Sequence, residues 1–136
     1  MKKIVIDTGV VISALLKSEG TSRKALVKAV QEFIPLLTLD TLTELERTLS
    51  KPKFSGLFSF SDKIAIHELL IRQGEFVEVK TSIVACRDSS DDKFLNLAVS
   101  GEAQTILTCD PDLLVLHPFS EIAILNPRVP QSILVI

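Results

Sequence analysis

The side chains best suited to chemistry in this sequence are three aspartates grouped just before a predicted helix. The stretch CRDSSDDKFLNLAVSG, residues 86–101, contains Asp88, Asp91 and Asp92 within five positions. Carboxylates this close repel one another unless solvent or a bound cation offsets their charge. A structural explanation is also open, because Ser89 and Asp92 match the capping box of a helix start, where acidic side chains are favoured. The group therefore indicates either a cation site or a helix cap.

Three more acidic residues follow predicted strands. Asp7 ends the apolar run KIVI, Glu44 lies in the helix after the second strand, and Asp110 comes shortly after the strand TILT. In a parallel sheet these residues would share an edge with Asp92, the edge where the strands have their carboxyl ends and where open α/β sheets bind ligands. No lysine or histidine is predicted beside them, so their charges require bound cations.

Four carboxylates at one sheet edge predict a site for divalent metal ions. Oxygen ligands favour Mg²⁺ or Mn²⁺ over softer metals. Two such ions, roughly 3.5–4 Å apart, activate a water and stabilise the leaving oxygen of a phosphodiester. The residues predicted to bind metal and to support catalysis are Asp7, Glu44, Asp92 and Asp110.

Each of these acids also has a purely structural interpretation. Glu44 can close a capping box with Thr41, and Asp7 can be a turn residue after its strand. Asp110 precedes Pro111, a pair that commonly opens a turn. Separate structural roles for every acid at one edge are harder to accept than one shared site, so the pattern favours metal binding.

Hydrophobic periodicity predicts the elements that position these residues. Apolar, β-branched runs predict strands, and stripes with helical spacing predict helices. The predicted strands are 3–6, 34–39, 75–79, 105–108 and 122–125, and the predicted helices are 10–16, 22–33, 40–49, 61–72 and 91–100. Strands that alternate with helices imply βαβ crossovers, hence an α/β fold with a mainly parallel sheet and helices on both faces.

Composition limits the remaining possibilities. With 136 residues the chain is long enough for one domain, which we expect to span residues 1–136. The net charge is −2, yet residues 1–53 carry nine basic and six acidic side chains while 54–136 carry six and eleven. This asymmetry is compatible with a polyanion held against bound cations, and equally with ordinary solvated surface charge.

The sequence also favours a cytoplasmic protein that does not enter the membrane. Its apolar runs are shorter than the ~18–20 residues needed to cross a bilayer. Asp7 interrupts the apolar N-terminal run, which is therefore predicted to be a strand and not a signal peptide. Cys86 and Cys109 form no CxxC motif, which suggests a reducing compartment and no zinc site.

Two apolar segments have open interpretations. The loop 51–60, KPKFSGLFSF, combines basic and aromatic side chains that can bind single-stranded RNA, although its phenylalanines are more simply explained by core packing. The terminal segment SILVI, residues 132–136, can pack on the sheet or be buried in a homodimer, because an exposed apolar segment is unfavourable.

Several motifs together resemble the PIN-domain family. They are IVIDTGVVISALL, TLTELERTL, LSKPKF, CRDSSDDKFLNLAVSGEAQTILTCDPDLL and a late strand that ends in ILNP. The resemblance covers about residues 3–128 and is closest to the bacterial branch that contains the toxins of toxin–antitoxin systems. It implies a three-layer α/β/α sandwich, a metal-dependent ribonuclease that cleaves single-stranded RNA, and a cognate antitoxin protein as partner.

The resemblance assigns the acidic quartet to the same four residues as the strand layout does. It places Asp88 and Asp91 at the periphery of the site, and Thr8 and Thr108 at positions where a small hydroxyl orients the carboxylates. Gly9 departs from the family pattern, which often has asparagine there. The alternative function is a catalytically inactive PIN-fold module that binds nucleic acid or protein.

Overall fold

A parallel β-sheet with helices on both faces forms the centre of the molecule. The computed structural model describes residues 1–128. The strands are β1 (Lys3–Ile6), β2 (Ile34–Leu37), β3 (Glu75–Phe76), β4 (Thr105–Leu107) and β5 (Ala123–Leu125). The helices are α1 (Thr8–Leu16), α2 (Thr21–Glu32), α3 (Leu39–Leu49), α4 (Phe60–Gln73), α5 (Asp92–Ser100) and α6 (Pro111–Leu114). The predicted α/β/α sandwich is confirmed.

The strand order creates a reversal beside β1. The order across the sheet is β3-β2-β1-β4-β5, and every pairing is parallel. The chain moves outward from β1 to β2 and β3, and then returns to the other side of β1 for β4 and β5. Adjacent crossovers that leave in opposite directions open a crevice at the carboxyl ends of the strands. Here that crevice lies between β1 and β4.

Two apolar cores fix the layers because successive strand residues point to opposite faces. Val5 of β1 packs with Ile106 of β4 and Phe94 of α5 on one face. Leu107 of β4 points to the other face, where it packs with Ile4 and with apolar residues of α1 and α2. A neighbouring apolar cluster on that second face joins α1 and α2 to α3 and α4. The carboxyl edge of the sheet therefore lies between helices that pack on both of its faces.

The structure corrects several predicted boundaries. The first helix begins at Thr8, directly after Asp7, and β3 has two residues where five were predicted. The predicted turn at Asp110-Pro111 continues into α6, a helix that periodicity did not predict because it has only four residues. Short 3₁₀ turns at Pro52–Phe54 and Ser89–Asp91 precede α4 and α5.

The basic and aromatic loop has a mixed outcome. Phe58 is buried, and the ring of Phe54 packs against it at 5.6 Å between centroids. Core packing thus accounts for these two rings, whereas Phe60 is 78% exposed. The segment 132–136, with its predicted packing or dimer contact, lies outside the described residues. Within residues 1–128, no helix has both the length and the apolar character required to span a membrane.

Candidate metal centre

Asp7 and Asp110 occupy the crevice because they follow two neighbouring strands. Asp7 comes directly after β1, and its backbone N–H donates to the carbonyl of Leu107 in β4 at 2.9 Å. The hydroxyl of Thr108 donates to Oδ2 of Asp7 at 2.7 Å and accepts from the backbone N–H of Asp110 at 2.9 Å. Thr108 is fully buried, so it fixes the position of one acid relative to the other.

Asp91 is the third carboxylate at this point. One oxygen from each of Asp91, Asp110 and Asp112 lies within 4.8 Å of the others. Oδ1 of Asp110 accepts from the backbone N–H of Asp112 at 2.9 Å, which caps α6, and Asp112 forms an ion pair with Arg87 at 3.2 Å. Sequence reasoning missed Asp112 because its position depends on α6.

The electrostatics of Asp7 and Asp91 show that negative charge is unfavourable here. Burial raises the pKa of Asp7 above its usual value, the Thr108 hydroxyl opposes that shift, and the charge of Asp110 adds to it. Burial, a hydrogen bond with Asp110 and the charge of Asp110 raise the pKa of Asp91 to about 7. At neutral pH Asp91 is therefore only partly ionised unless a cation lies beside it.

Asp92, predicted as a metal ligand, has a different set of contacts. Its Oδ1 accepts from the backbone N–H groups of Cys86, at 2.8 Å, and Ala85, at 3.1 Å, instead of forming a capping box with Ser89. These hydrogen bonds favour the charged form and hold the pKa of Asp92 below its usual value. The buried Asp92 side chain thereby attaches the preceding loop to α5.

Asp88 also has a local role. It is exposed, and its Oδ1 accepts from the backbone N–H of Ser90 at 3.0 Å and from the Ser90 hydroxyl at 2.8 Å. These bonds lower the pKa of Asp88 and start the 3₁₀ turn that leads into α5. Of the three grouped aspartates, the structure brings Asp91 to the other site carboxylates.

Glu44 enters the crevice from α3. The capping box of this helix is formed by Thr38 and Thr41, so Glu44 is not used as a cap. Its Oε2 accepts from the hydroxyl of Thr8 at 2.6 Å, and its Oε1 lies 2.5 Å from Nζ of Lys93. The expectation that no lysine lies beside the acids is wrong, since α5 carries Lys93 across to α3.

An open cleft of about 530 Å³ gives access to this group of acids. Asp7, Glu44 and Asp110 line one part of it. Arg47 and Lys51 line another part. Arg47 lies one helical turn after Glu44 in α3, and Lys51 lies just after the end of that helix. Within residues 1–128 neither cation takes part in an ion pair. The cleft thus combines an acidic floor with two uncompensated positive charges.

Comparison with known proteins identifies the family. The sequence profile described as a PIN domain matches residues 3–112, most of the chain. The chain belongs to the PIN-domain family. Members of this family are nucleases, so the match supports a nuclease role for this PIN domain.

Two individual proteins are also similar to this PIN domain. An uncharacterised protein of Methanocaldococcus jannaschii, MJ1680, is 32% identical over 117 residues, which span 85% of this chain and 75% of that protein. The crystal structure of VapBC2 from Rickettsia felis, bound to a DNA fragment from their promoter, contains a chain that superposes with a TM-score of 0.60 at 12% identity. The superposition covers 91% of this chain and 98% of that one, and it shows a shared fold.

The residues at the crevice suit a hard divalent cation. The ligand atoms available on Asp7, Asp91 and Asp110 are all carboxylate oxygens, the donors that Mg²⁺ and Mn²⁺ prefer. A cation would also favour the ionised form of Asp91, whose pKa burial and the neighbouring Asp110 raise. Both the donor type and the electrostatics of this PIN domain therefore fit the divalent metals that PIN nucleases use.

Proposed function

We propose that this PIN domain is a Mg²⁺- or Mn²⁺-dependent endoribonuclease that hydrolyses phosphodiester bonds of single-stranded RNA. The observation that supports this most strongly is the group of acids at the crevice between β1 and β4, where Thr108 links Asp7 to Asp110 and one oxygen of Asp91 lies within 4.8 Å of one on Asp110. Asp7 and Asp110 line an open cleft that also has Arg47 and Lys51 on its wall, an arrangement suited to a phosphate chain held next to a metal.

In this proposal the protein contributes the geometry and the metal contributes the chemistry. A divalent ion bound by carboxylates lowers the pKa of a coordinated water and offsets the charge of the phosphate oxygens. Asp7 and Asp110 would bind the ion, with Thr108 fixing their separation by its two hydrogen bonds. Asp91 would give up its proton as the ion binds, since a cation and a proton compete for the same carboxylate.

The roles of the other predicted residues follow from their contacts. Asp92 would position Asp91 by holding the loop before α5, and its direct ligation of metal stays a prediction from sequence. Thr8 would orient Glu44 through the hydrogen bond between them. Asp88 would shape the turn that carries Asp91.

The cleft also supports an extended anionic substrate. Arg47 and Lys51 extend from the acidic floor along α3 and the residues after it, where they can bind the phosphates that flank the cleavage point. Phe60 is exposed after this stretch and offers a surface on which a base can stack, which is possible only when the base is unpaired. These features favour a single strand over a duplex.

We further propose that the protein acts in the cytoplasm as the toxin of a toxin–antitoxin pair. This rests on the resemblance of its motifs to the toxin branch of the family and on the shared fold with a chain of VapBC2. The partner would be a small antitoxin encoded beside the toxin gene. Co-expression with the neighbouring reading frame should relieve the growth arrest caused by the toxin alone, and no relief by either neighbour would contradict this part.

The test of the nuclease is a cleavage assay on fluorescent single-stranded RNA with protein purified free of other chains. We expect cutting with Mg²⁺ or Mn²⁺, no cutting with EDTA, and little with Ca²⁺, whose looser coordination positions water poorly. His67→Gln is the matched control and should cut normally, because His67 lies on α4, where its Nδ1 is bound to the Lys63 carbonyl, and is not among the residues that line the cleft. Metal-independent cutting would contradict the metal-dependent mechanism, and no cutting on RNAs of varied sequence would favour the inactive binding module instead.

A further inference from the structure

Lys93 neutralises one of the acids at the crevice, Glu44, by an ion pair. Nζ of Lys93 lies 2.5 Å from Oε1 of Glu44, and the two side chains are only 20% and 23% exposed. The other carboxylate oxygen of Glu44 accepts from Thr8 at 2.6 Å. Both oxygens of Glu44 are thus already bound to donors of the chain itself.

The remaining carboxylates have no such compensation. Arg87 contacts Asp112 at 3.2 Å and is itself 86% exposed, so it does little for the buried part of the group. Within residues 1–128, the ion pairs include no partner for Asp7, Asp91 or Asp110. A bound cation would therefore neutralise these three residues, whereas Glu44 is already neutralised by Lys93.

Of the acids that line the cleft, Glu44 is the one left for a second divalent ion, because Asp7 and Asp110 bind the first. To reach Glu44, that ion would have to displace an ammonium group at hydrogen-bond distance in a site that is mostly shielded from solvent. Displacement would leave two positive groups close together where screening by water is weak. Mg²⁺ also loses its hydration water reluctantly, which adds to the cost.

We propose that the ammonium group of Lys93 is the permanent second cation of this centre. The protein then takes up one divalent ion, at Asp7, Asp91 and Asp110, and Glu44 binds Lys93 in place of metal. This replaces the two-ion arrangement predicted from sequence. The inference rests on the proposed function only in that a divalent ion binds at the crevice, and its test counts ions without measuring cleavage.

The experiment is a titration of the whole protein with Mn²⁺, in which free Mn²⁺ is followed by electron paramagnetic resonance. Wild type should bind one Mn²⁺ per chain. Lys93→Met frees Glu44 and should bind a second Mn²⁺, with an affinity at least about tenfold above any second event in wild type. Lys93→Arg keeps the charge and should bind one, as should the surface control Lys24→Met.

Glu44→Gln gives an independent measurement if Lys93→Met folds poorly. Because Glu44 is not a ligand in this proposal, Glu44→Gln should still bind one Mn²⁺ with affinity within about threefold of wild type, well below the 10–100-fold typical of lost metal-site contacts. A loss of tenfold or more would overturn the inference. Two tightly bound ions in wild type, or a single ion in folded Lys93→Met, would also overturn it.

The two proposals fail in different ways. If wild type binds one Mn²⁺ and Lys93→Met binds two but neither protein cuts RNA, the nuclease proposal falls and the role of Lys93 stands. If wild type cuts RNA with Mn²⁺ while binding two ions, the nuclease stands and the role of Lys93 falls. A wild-type protein that binds no Mn²⁺ contradicts both.

Discussion

Neighbouring aspartates in this protein have opposite electrostatic environments. Asp91 lies against Asp110 and has a pKa raised to about 7, whereas Asp92 accepts two backbone N–H groups and has a lowered pKa. Ionised Asp91 therefore destabilises the folded state, and ionised Asp92 stabilises it. Isosteric substitution of each residue should separate these effects in the metal-free protein.

We expect Asp91→Asn and Asp92→Asn to change stability in opposite directions. The penalty from Asp91 is absent below about pH 4 and grows as pH rises to its folded pKa of about 7, so Asp91→Asn should raise the melting temperature most at pH 8. The contribution of Asp92 is present above its unfolded pKa and is lost as the pH falls through its lowered folded pKa, so Asp92→Asn should lower the melting temperature at pH 8 by an amount that shrinks as the pH falls below about 4.

Thermal melts in EDTA across this pH range measure both differences. Asp88→Asn is the matched control for an exposed acid in the same turn, where water and Ser90 satisfy the side chain. If Asp91→Asn destabilised the protein as much as Asp92→Asn did, Asp91 would be a structural residue and not a strained site carboxylate.

A second prediction at this scale concerns Asp7. Asp7→Asn keeps an oxygen that can accept from Thr108 but removes the charge that binds metal. Without the metal the transition state of cleavage loses several kcal/mol of stabilisation, so the rate of RNA cleavage should fall roughly a thousandfold. Because burial already raises the pKa of Asp7, the metal-free variant should melt at or above the wild-type temperature at pH 8. Single-turnover cleavage and a paired melt test this, and a marked fall in stability would attribute lost activity to misfolding.

The sequence was sufficient to bring Asp7 and Asp110 together but not to choose between Asp91 and Asp92. Residues after parallel strands share one sheet edge whatever the loops do, so the strand pattern alone locates them. Consecutive residues at a helix start point in directions about 100° apart. Which of them faces the crevice depends on the conformation of the loop that contains Cys86, because its backbone N–H groups donate to Asp92. That conformation could not be predicted from the sequence.

At the scale of elements, α3 connects the chemistry to the substrate surface. Its Thr38–Thr41 capping box and its buried leucines fix the orientation of the helix. Glu44 and Arg47 then project on the side of the cleft, and Lys51 follows from the turn after the helix. One well-anchored element thus sets the distance from the acidic floor to the cationic wall.

We expect the two cations on this wall to govern RNA affinity without affecting metal binding. Arg47→Ala with Lys51→Ala should weaken binding of a single strand at least about tenfold and reduce the slope of log affinity against log salt by about 1.4, since each phosphate contact on a single strand contributes ~0.7. Lys24→Ala with Arg72→Ala removes the same charge from α2 and α4 and is the matched control. Fluorescence anisotropy in Ca²⁺ gives both quantities, and equal effects of the two double variants would indicate nonspecific attraction.

Helix prediction succeeded where the hydrophobic stripe was long and failed for the one-turn helix α6. The stripe of Leu42, Leu45 and Leu49 defined α3 to within one residue of its observed start. By contrast, α6 has four residues and one fully buried side chain, Leu113, too few for a helical period to be recognised. The contact between Lys93 and Glu44 was missed because it joins α5 to α3, and the two residues are 49 positions apart in the sequence. Periodicity within a helix does not predict such a long-range contact.

For the molecule as a whole, the reversal of strand order beside β1 brings negatively charged side chains together, and no basic side chain of residues 1–128 forms an ion pair with Asp7, Asp91 or Asp110. The sheet brings the acids that follow β1 and β4 to one crevice, and the 3₁₀ turn before α5 adds Asp91. The folded state is thereby poised to gain stability from a cation, since the unfolded chain keeps these carboxylates apart and binds the ion weakly. Binding to the folded state alone raises stability by mass action.

The final prediction is that this gain depends on pH. At 100 times the dissociation constant, Mn²⁺ should add about 2.7 kcal/mol to the unfolding free energy, provided that the carboxylates are ionised. Near pH 5.5 Asp91 is protonated, because its pKa is about 7, and the proton must be released before the metal binds. The same Mn²⁺ concentration should therefore raise the melting temperature less at pH 5.5 than at pH 8. Melts at both pH values with fixed Mn²⁺, and with EDTA as reference, measure the difference. Asp91→Asn is the control, because it removes the group whose pKa is about 7 and should make whatever gain remains depend less on pH. An equal gain at both pH values in wild type would show that Asp91 does not compete with the metal.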